Sequence, residues 1–326
     1  MRSRFASLLF LLILGLSAAP PLGAQSTIGV QKLADGVWAA QPEKGANVGW
    51  FLYGDGVVAV DSGGDAATAA EILKQISDTT GGKPVRYVVL THAHADHSSG
   101  ARAFVAAGAQ VICQENAAAP ILAFVTRSSN DPADPLSGKR SASPMLLTVS
   151  ERLILFDGRR RADIQWLGPA HTNGDLVVVL PSEKVLFIGD LAPNGRVPDL
   201  HLADADPAAW AKVLPRLAAV PIDKVVPGHG TIGPKTGIAD TLAYLRGLDD
   251  IVKKLLRNGT PEEYLEIRLR EPDNRIPNVP LSEAHLKNAV AVFHREREKL
   301  TKPATTPARP GQAPTLRPTA RRNPGS

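Results

Sequence analysis

Apolar positions in this chain gather into short, nearly continuous runs, each cut off by Gly, Asp, Pro or Ser. Such runs read as strands covered on both faces. Gly29 to Leu33 and Val37 to Ala40 flank Asp35-Gly36, and Val48 to Tyr53 and Val57 to Val60 flank Gly54-Asp55-Gly56. Both breaks favour tight antiparallel turns. Further on, helix and strand alternate: a helix from Ala66 to Ile76, a strand from Val85 to Leu90, a helix from Ser99 to Ala107, a strand from Ala109 to Cys113 and a helix from Ala117 to Val125. From Arg127 to Pro144 the chain is rich in Ser, Asp, Pro and Gly and reads as an exposed loop flanking the site described below.

Strands resume at Arg152 to Phe156, Asp163 to Leu167, Leu176 to Leu180 and Val185 to Ile188. A helix from Ala208 to Ala219, a strand at Lys224 to Val226, and helices from Ile238 to Arg257, Pro261 to Arg268 and Ser282 to Lys299 complete the order. This succession predicts an α+β fold, a four-layer αββα sandwich of two mixed β-sheets. No repeat and no linker divides the body, so residues 25–300 read as one domain.

With 44% apolar and 21% charged residues, the chain can bury a substantial core. The formal net charge of +5 is concentrated at the ends. Arg2 and Arg4 near the start, and Lys302, Arg309, Arg317, Arg321 and Arg322 near the end, have no acidic neighbours there. Those set aside, the 37 basic residues fall below the 32 acidic ones, and the body has no basic footprint for nucleic acid.

Residues 1–24 follow the order of a secretory signal peptide: Arg2 and Arg4, apolar Leu8 to Leu16, then Pro20-Pro21 and small residues with a cut after Ala24. The apolar run is short for a bilayer span, so the expectation is a periplasmic or secreted protein without stable membrane insertion after cleavage. Cys113, the single cysteine, reads as a small buried hydrophobe. Residues 301–326 hold six prolines and little apolar content, and read as a disordered basic tail.

Candidate chemistry sits where the strands stop. Thr91-His92-Ala93-His94-Ala95-Asp96-His97 follows one apolar run, and His171 follows Leu167-Gly168-Pro169-Ala170. Asp190 ends Val185-Leu186-Phe187-Ile188-Gly189, and His229 lies in Pro227-Gly228-His229-Gly230. If these strand ends share one edge, the side chains converge. On an extended backbone His92 and His94 point to the same side, and with His171 they can chelate one ion. Asp96, His97 and His229 can hold a second ion, with Asp190 between the two because a carboxylate has two oxygens. Two divalent ions about 3.5–4 Å apart acidify a bridging water and polarise a substrate oxygen.

His92-Ala93-His94-Ala95-Asp96-His97, His171, Asp190 and Gly228-His229-Gly230 resemble the HxHxDH…H…D…H pattern of the metallo-β-lactamase-fold superfamily. The resemblance implies two zinc ions, with iron or manganese as alternatives: one on His92, His94 and His171, the other on Asp96, His97 and His229, bridged by Asp190. It also matches Asp61 to an acid that orients a ligand histidine; a helix cap is the other role open to Asp61. The commonest class of true β-lactamases carries Cys where this chain has Asp190, so the resemblance points to the broader hydrolase group. The segment from Gly189 to Trp210 is similar to the exported, SoxH-like branch, linked to periplasmic quinoprotein systems.

The implied activity is that of a secreted binuclear zinc hydrolase acting on a small molecule. A metal-bridging hydroxide would cleave an ester, thioester, lactone or amide/lactam bond, and Asp96 would help to orient it. An iron-binding redox enzyme of the same fold, or a non-catalytic accessory to a quinoprotein partner, are the alternatives. His201 and Arg196 are weaker candidates for substrate contacts. His285 and His294 lie in a polar helix and read as solvated. Asp175 serves either to support a ligand or to start the next strand, and Trp38, Trp50, Trp166 and Trp210 read as packing residues.

Overall fold

The computed structural model describes residues 28–301 apart from 44, 129, 131–133 and 139–143. The first sheet takes its strands in chain order: β1 (Gly29–Ala34), β2 (Val37–Gln41), β3 (Val48–Tyr53), β4 (Gly56–Val60), β5 (Val85–Val89), β6 (Gln110–Gln114) and β7 (Leu146–Val149). The first four pair antiparallel through short turns. From β4 onward the pairing is parallel. Parallel neighbours need long crossovers, and these carry α1 (Ala66–Thr80), α2 (Ala95–Ser98), α3 (Ala101–Ala106) and α4 (Ala118–Thr126).

The second sheet holds β8 (Arg152–Phe156), β9 (Arg161–Trp166), β10 (Leu176–Leu180), β11 (Val185–Gly189) and β12 (Lys224–Pro227), in the order β12-β11-β10-β9-β8. Its one parallel pair, β11 with β12, is linked through α5 (Pro207–Ala218). Then come α6 (Thr236–Arg257), α7 (Leu265–Leu269) and α8 (Glu283–Thr301).

Strand alternation sorts the side chains into layers. Val58 and Val60 join Phe51, Val89, Ile112, Ile164, Val178 and Phe187 between the sheets. Val57 and Ala59, one residue out of phase, pack with Ile72 and Ile76 of α1 and Phe104 of α3. On the far side, Val177 and Val179 pack with Trp210 and Leu214 of α5, Leu248 of α6 and Phe293 of α8. Burying each large apolar side chain contributes about 1.5–3 kcal/mol. Both faces are therefore covered, which explains the continuous apolar runs and establishes the αββα sandwich.

Several local expectations change. The α1 helix runs to Thr80 rather than Ile76, because the Thr79 and Thr80 hydroxyls donate back to the carbonyls of Gln75 and Ile76 and Gly81 caps the end. The strand β7 was not expected. Only Ser150 and Glu151 separate it from β8 in the other sheet, so the chain changes sheets with no local signal. The expected single helix from Ser99 is two short ones, the first starting at Ala95. His285 is 2% exposed and bonded to the Tyr244 hydroxyl at 3.1 Å, so it is not solvated: its face of α8 packs on α6. His294 is half-buried, 3.4 Å from Glu262. Trp50 and Trp210 are fully buried.

Cys113 is buried and free, and burial pushes its thiol up to about 11. Of the 127–144 loop, the described part is tied to α3: Arg102 pairs with Asp134 at 2.9 Å and donates to the Leu136 carbonyl at 2.6 Å. Among the described residues no helix is long and apolar enough to cross a membrane. The signal-peptide segment and the tail beyond Thr301 lie outside the described residues.

Candidate metal centre

The strand β5 ends at Val89, and the chain then bends through Thr91 to Ala93. His94 stays extended, but its carbonyl accepts from the backbone N–H of His97 and Ser98 at 3.1 and 3.0 Å. The Ser98 hydroxyl donates to the same carbonyl at 2.8 Å. Asp96 and His97 therefore leave on a turn of helix while His92 and His94 lie before it. His171 comes from the turn after β9, Asp190 from Gly189 at the end of β11, and His229 from the loop after β12.

All seven side chains meet. His92 Nε2 and His171 Nε2 each lie 3.0 Å from His94 Nδ1. Asp96 Oδ2 lies 2.8 Å from His229 Nε2 and 3.8 Å from His97 Nε2. Asp190 stands between the two groups, with Oδ1 3.3 Å from His97 Nε2 and Oδ2 3.4 Å from His171 Nε2 and 3.7 Å from His229 Nε2. The atoms form two groups able to hold a cation, His92-His94-His171 and Asp96-His97-His229, with Asp190 also grouped with His92 and His97. His92, His97 and His171 are buried, whereas the side chains of His94, Asp96 and His229 are 25%, 41% and 21% exposed and form the open rim.

Two atoms test whether these residues fit metal ions. His97 Nε2 and Asp190 Oδ1 are buried, face each other and have no hydrogen-bond partner. Leaving a buried polar atom unpaired costs about 1–3 kcal/mol, and a cation beside them satisfies both. Five imidazoles and two carboxylates suit zinc, and also iron or manganese.

Asp61 anchors the arrangement from behind. Its carboxylate accepts from the Thr91 backbone N–H at 2.8 Å, from the Thr91 hydroxyl, and from His97 Nδ1 at 2.9 Å, which leaves His97 Nε2 turned to Asp190. Asp61 adopts φ +64°, a conformation unusual for a residue with a side chain and often kept at functional sites. It is not the cap of α1, since Asp65 accepts from Thr68 N there.

Burial holds His92 well below its ordinary value, reinforced by His97 and His171; burial likewise lowers His171. Both keep lone pairs free for a cation. Burial opposes charge on His97 as well, but Asp190 and Asp61 outweigh it and raise its pKa well above the usual histidine value. Burial also opposes charge on Asp190, and His97 and His171 overcome it, holding the carboxyl well below the usual range. Because Asp190 and Asp61 favour the protonated form of His97, cation binding at this centre competes with protonation of that ring. Zinc affinity should rise with pH until the solution passes the raised His97 value. Calorimetric titration in buffers of different ionisation enthalpy should show net proton release on zinc binding near neutrality; no release would contradict this assignment.

The remaining candidates are placed differently. His201 is exposed and paired with Asp199, on a groove beside Glu266 and Lys287, so it does not join the cluster. Arg196 is exposed and makes no ion pair among the described residues. Asp175 accepts from Thr172 N at 2.7 Å and Thr172 Oγ1 at 2.8 Å, tightening the turn that follows His171; burial pushes its carboxyl up to about 8. Sequence reasoning passed over Thr91 and Asp204. The Asp204 carboxylate lies 3.8 Å from His94 Nε2, and nothing in its loop sequence distinguishes it from Asp206, which caps α5.

The model of the metallo-beta-lactamase superfamily matches residues 42–229. The linear primary-alkylsulfatase of Pseudomonas sp. (strain ATCC 19151) is 26% identical over 259 residues, covering 65% of this chain and 48% of that protein. The chain thus spans about half the length of that relative. The metallo-beta-lactamase type 2 of Bacillus cereus is 28% identical over 196 residues, 59% of this chain and 69% of that protein. Among solved structures, a metallo-beta-lactamase from Pontibacter korlensis superposes with a TM-score of 0.56 at 28% identity, covering 67% of this chain and 99% of that one. The matched stretch carries all seven converging side chains and both sheets from β3 onward, and on that agreement the chain belongs to the metallo-beta-lactamase superfamily.

Proposed function

We propose that the protein is an exported, binuclear zinc-dependent hydrolase of a small-molecule ester, thioester, lactone or amide/lactam. One observation carries the reading: two groups of three ligand atoms lie on either side of Asp190, whose oxygens face both. His92, His94 and His171 would hold one ion, Asp96, His97 and His229 the other, with Asp190 common to both. Bound there, such ions supply Lewis acidity toward a substrate oxygen and acidify water at neutral pH.

The protein's own groups do the rest. Asp61 keeps His97 in one orientation by accepting from Nδ1. Asp96 is held ionised: burial opposes this, but the hydrogen bond from His229 prevails. Its Oδ2 faces His229 Nε2 within the group that would hold the second ion, which leaves Oδ1 to orient an attacking water. His94, Asp96 and His229 form the exposed rim across which a substrate enters. Export and a periplasmic quinoprotein partner complete the proposal, supported by the order of parts in residues 1–24 and by the segment from Gly189 to Trp210. A second reading, hydrolysis of an alkyl sulfate ester, is favoured by the similarity to the Pseudomonas alkylsulfatase.

The test is metal analysis of the purified chain together with a panel of esters, thioesters, lactones, β-lactams and alkyl sulfates. Two zinc ions per chain are expected, with turnover of a carbonyl substrate that a chelator abolishes and added zinc restores. Turnover of alkyl sulfates alone would move the assignment to the second reading. An iron-only protein that hydrolyses nothing on the panel would overturn both.

A further inference from the structure

The family match ends at His229, yet α8, more than fifty residues further on, reaches back toward the metal centre, most directly through Asn288. His171 Nδ1 lies 3.3 Å from the backbone carbonyl of Asp199. Donation to that carbonyl fixes the tautomer that leaves Nε2 free to face His94 and Asp190. The same peptide unit presents its N–H, from Leu200, to Asn288 Oδ1 of α8 at 2.9 Å. Because a peptide group is planar, holding its N–H also fixes the direction of its carbonyl. Asn288 Nδ2 takes the carbonyl on the other side of Asp199, that of Pro198, at 2.7 Å. One amide therefore pins both peptides that flank Asp199.

Asn288 is itself 1% exposed and is steadied by the Tyr244 hydroxyl of α6 at 3.0 Å. About two turns along α8, Arg295 binds the carbonyls of Leu200 and Leu202, the latter at 2.6 Å, and holds the loop that carries Asp204 toward His94. The α8 helix thus grips the 198–204 segment from one side while that segment meets two histidines of the centre on the other.

We infer that Asn288 is a positioning residue for the metal centre, acting through the Asp199–Leu200 peptide to orient His171. This rests on the metal-centre reading above and deepens it: the three-histidine site is completed by a helix outside the family-matched stretch. Hydrogen-bond partners behind a ligand histidine hold its ring orientation and basicity, and losing one weakens metal binding by about 10–100-fold.

The test is zinc titration of the full chain against a chromophoric chelator, with thermal melting alongside. In Asn288→Ala, one of the two zinc equivalents should weaken by about 10–100-fold and the other keep its affinity. Tyr244→Phe removes a buried hydrogen bond from the same network but leaves both Asn288 contacts to the loop; it should melt at a lower temperature yet lose far less zinc affinity than Asn288→Ala. Asn288→Asp keeps an acceptor for Leu200 N but turns a second oxygen toward the Pro198 carbonyl, so it should recover part of the lost affinity while melting at a lower temperature. If Asn288→Ala binds both equivalents with wild-type affinity, or loses affinity no more than Tyr244→Phe does, Asn288 is a packing residue and the inference fails alone. A wild-type chain that binds two zinc ions but turns over no substrate would overturn the proposed hydrolysis and leave this inference standing. A wild-type chain that takes up no zinc would overturn both.

Discussion

Asp190→Ala should abolish turnover, lowering kcat/KM by at least about a hundredfold, the upper end of what losing an outer partner of a metal ligand costs. It should lower the zinc content as well. The side chain is 11% exposed and is the one group whose two oxygens approach histidines of both ligand groups, at 3.3 and 3.4 Å. Removing it takes away the carboxylate closest to His97 Nε2 and His171 Nε2, with Asp61 remaining only behind His97, and breaking a buried charge pair typically costs about 3–5 kcal/mol. Asp190→Asn keeps the shape and removes the charge, so it separates loss of charge from loss of packing; it should lose metal to a similar degree. His94→Ala should act in the same direction, since both neighbouring ring nitrogens approach its Nδ1. Metal analysis and steady-state kinetics on chains with unchanged circular dichroism decide the matter. Full activity and full zinc in Asp190→Ala would refute the site.

Adding one methyl group at Gly228 should be almost as damaging. A Cβ there would lie 2.0 Å from Asp190 Oδ1 and 2.6 Å from His97 Cε1. The backbone cannot easily retreat, because Gly228 N donates to Gly189 O at 2.8 Å while Gly228 O accepts from Asn47 N at 2.7 Å. Nor can the carboxylate swing aside without leaving His97 and His171. Gly228→Ala should therefore lose metal affinity at least about tenfold, as when the surroundings of a ligand are disturbed. Overpacking should also destabilise it by about 1–3 kcal/mol. Gly233→Ala, a few residues along the same loop, would meet nothing closer than Asn194 Nδ2 at 4.0 Å and should behave as wild type. Zinc titration and melting curves of the two variants test the contrast, and equal behaviour would remove the steric argument.

Both expectations depend on residues that were visible in the chain and on contacts that were not. Asp190 stood out because an apolar run stops at it, but only the pairing of β11 with β12 brings it against His229. Gly228 looked like one more turn glycine until its missing side chain proved to be the space Asp190 occupies. The same limit explains His285. Its flanking residues Glu283, Lys287 and Arg295 make the helix read as polar, and its burial comes from α6 packing across that face. The β7 strand was missed because four residues next to a change of sheet offer too little periodicity. Asp199, Asp204 and Asn288 carry no local mark at all, since a backbone carbonyl, a loop acid and a helical amide gain their roles only from what they face.

By itself, the sequence determined the layered α+β architecture, because strands covered on both faces must be apolar throughout and short runs with sharp breaks can hardly fold otherwise. It also determined which side chains are chemically able to hold cations, since ligand type is a property of the residue. The tertiary structure decided which of those histidines meet, which nitrogen each presents, that Asp61 supports His97 rather than capping a helix, and that His201 and Arg196 stand apart. These outcomes depend on how strand ends from two sheets align and on which neighbour fills the space behind each ring. Both are relations between residues distant in the chain, which local pattern does not encode.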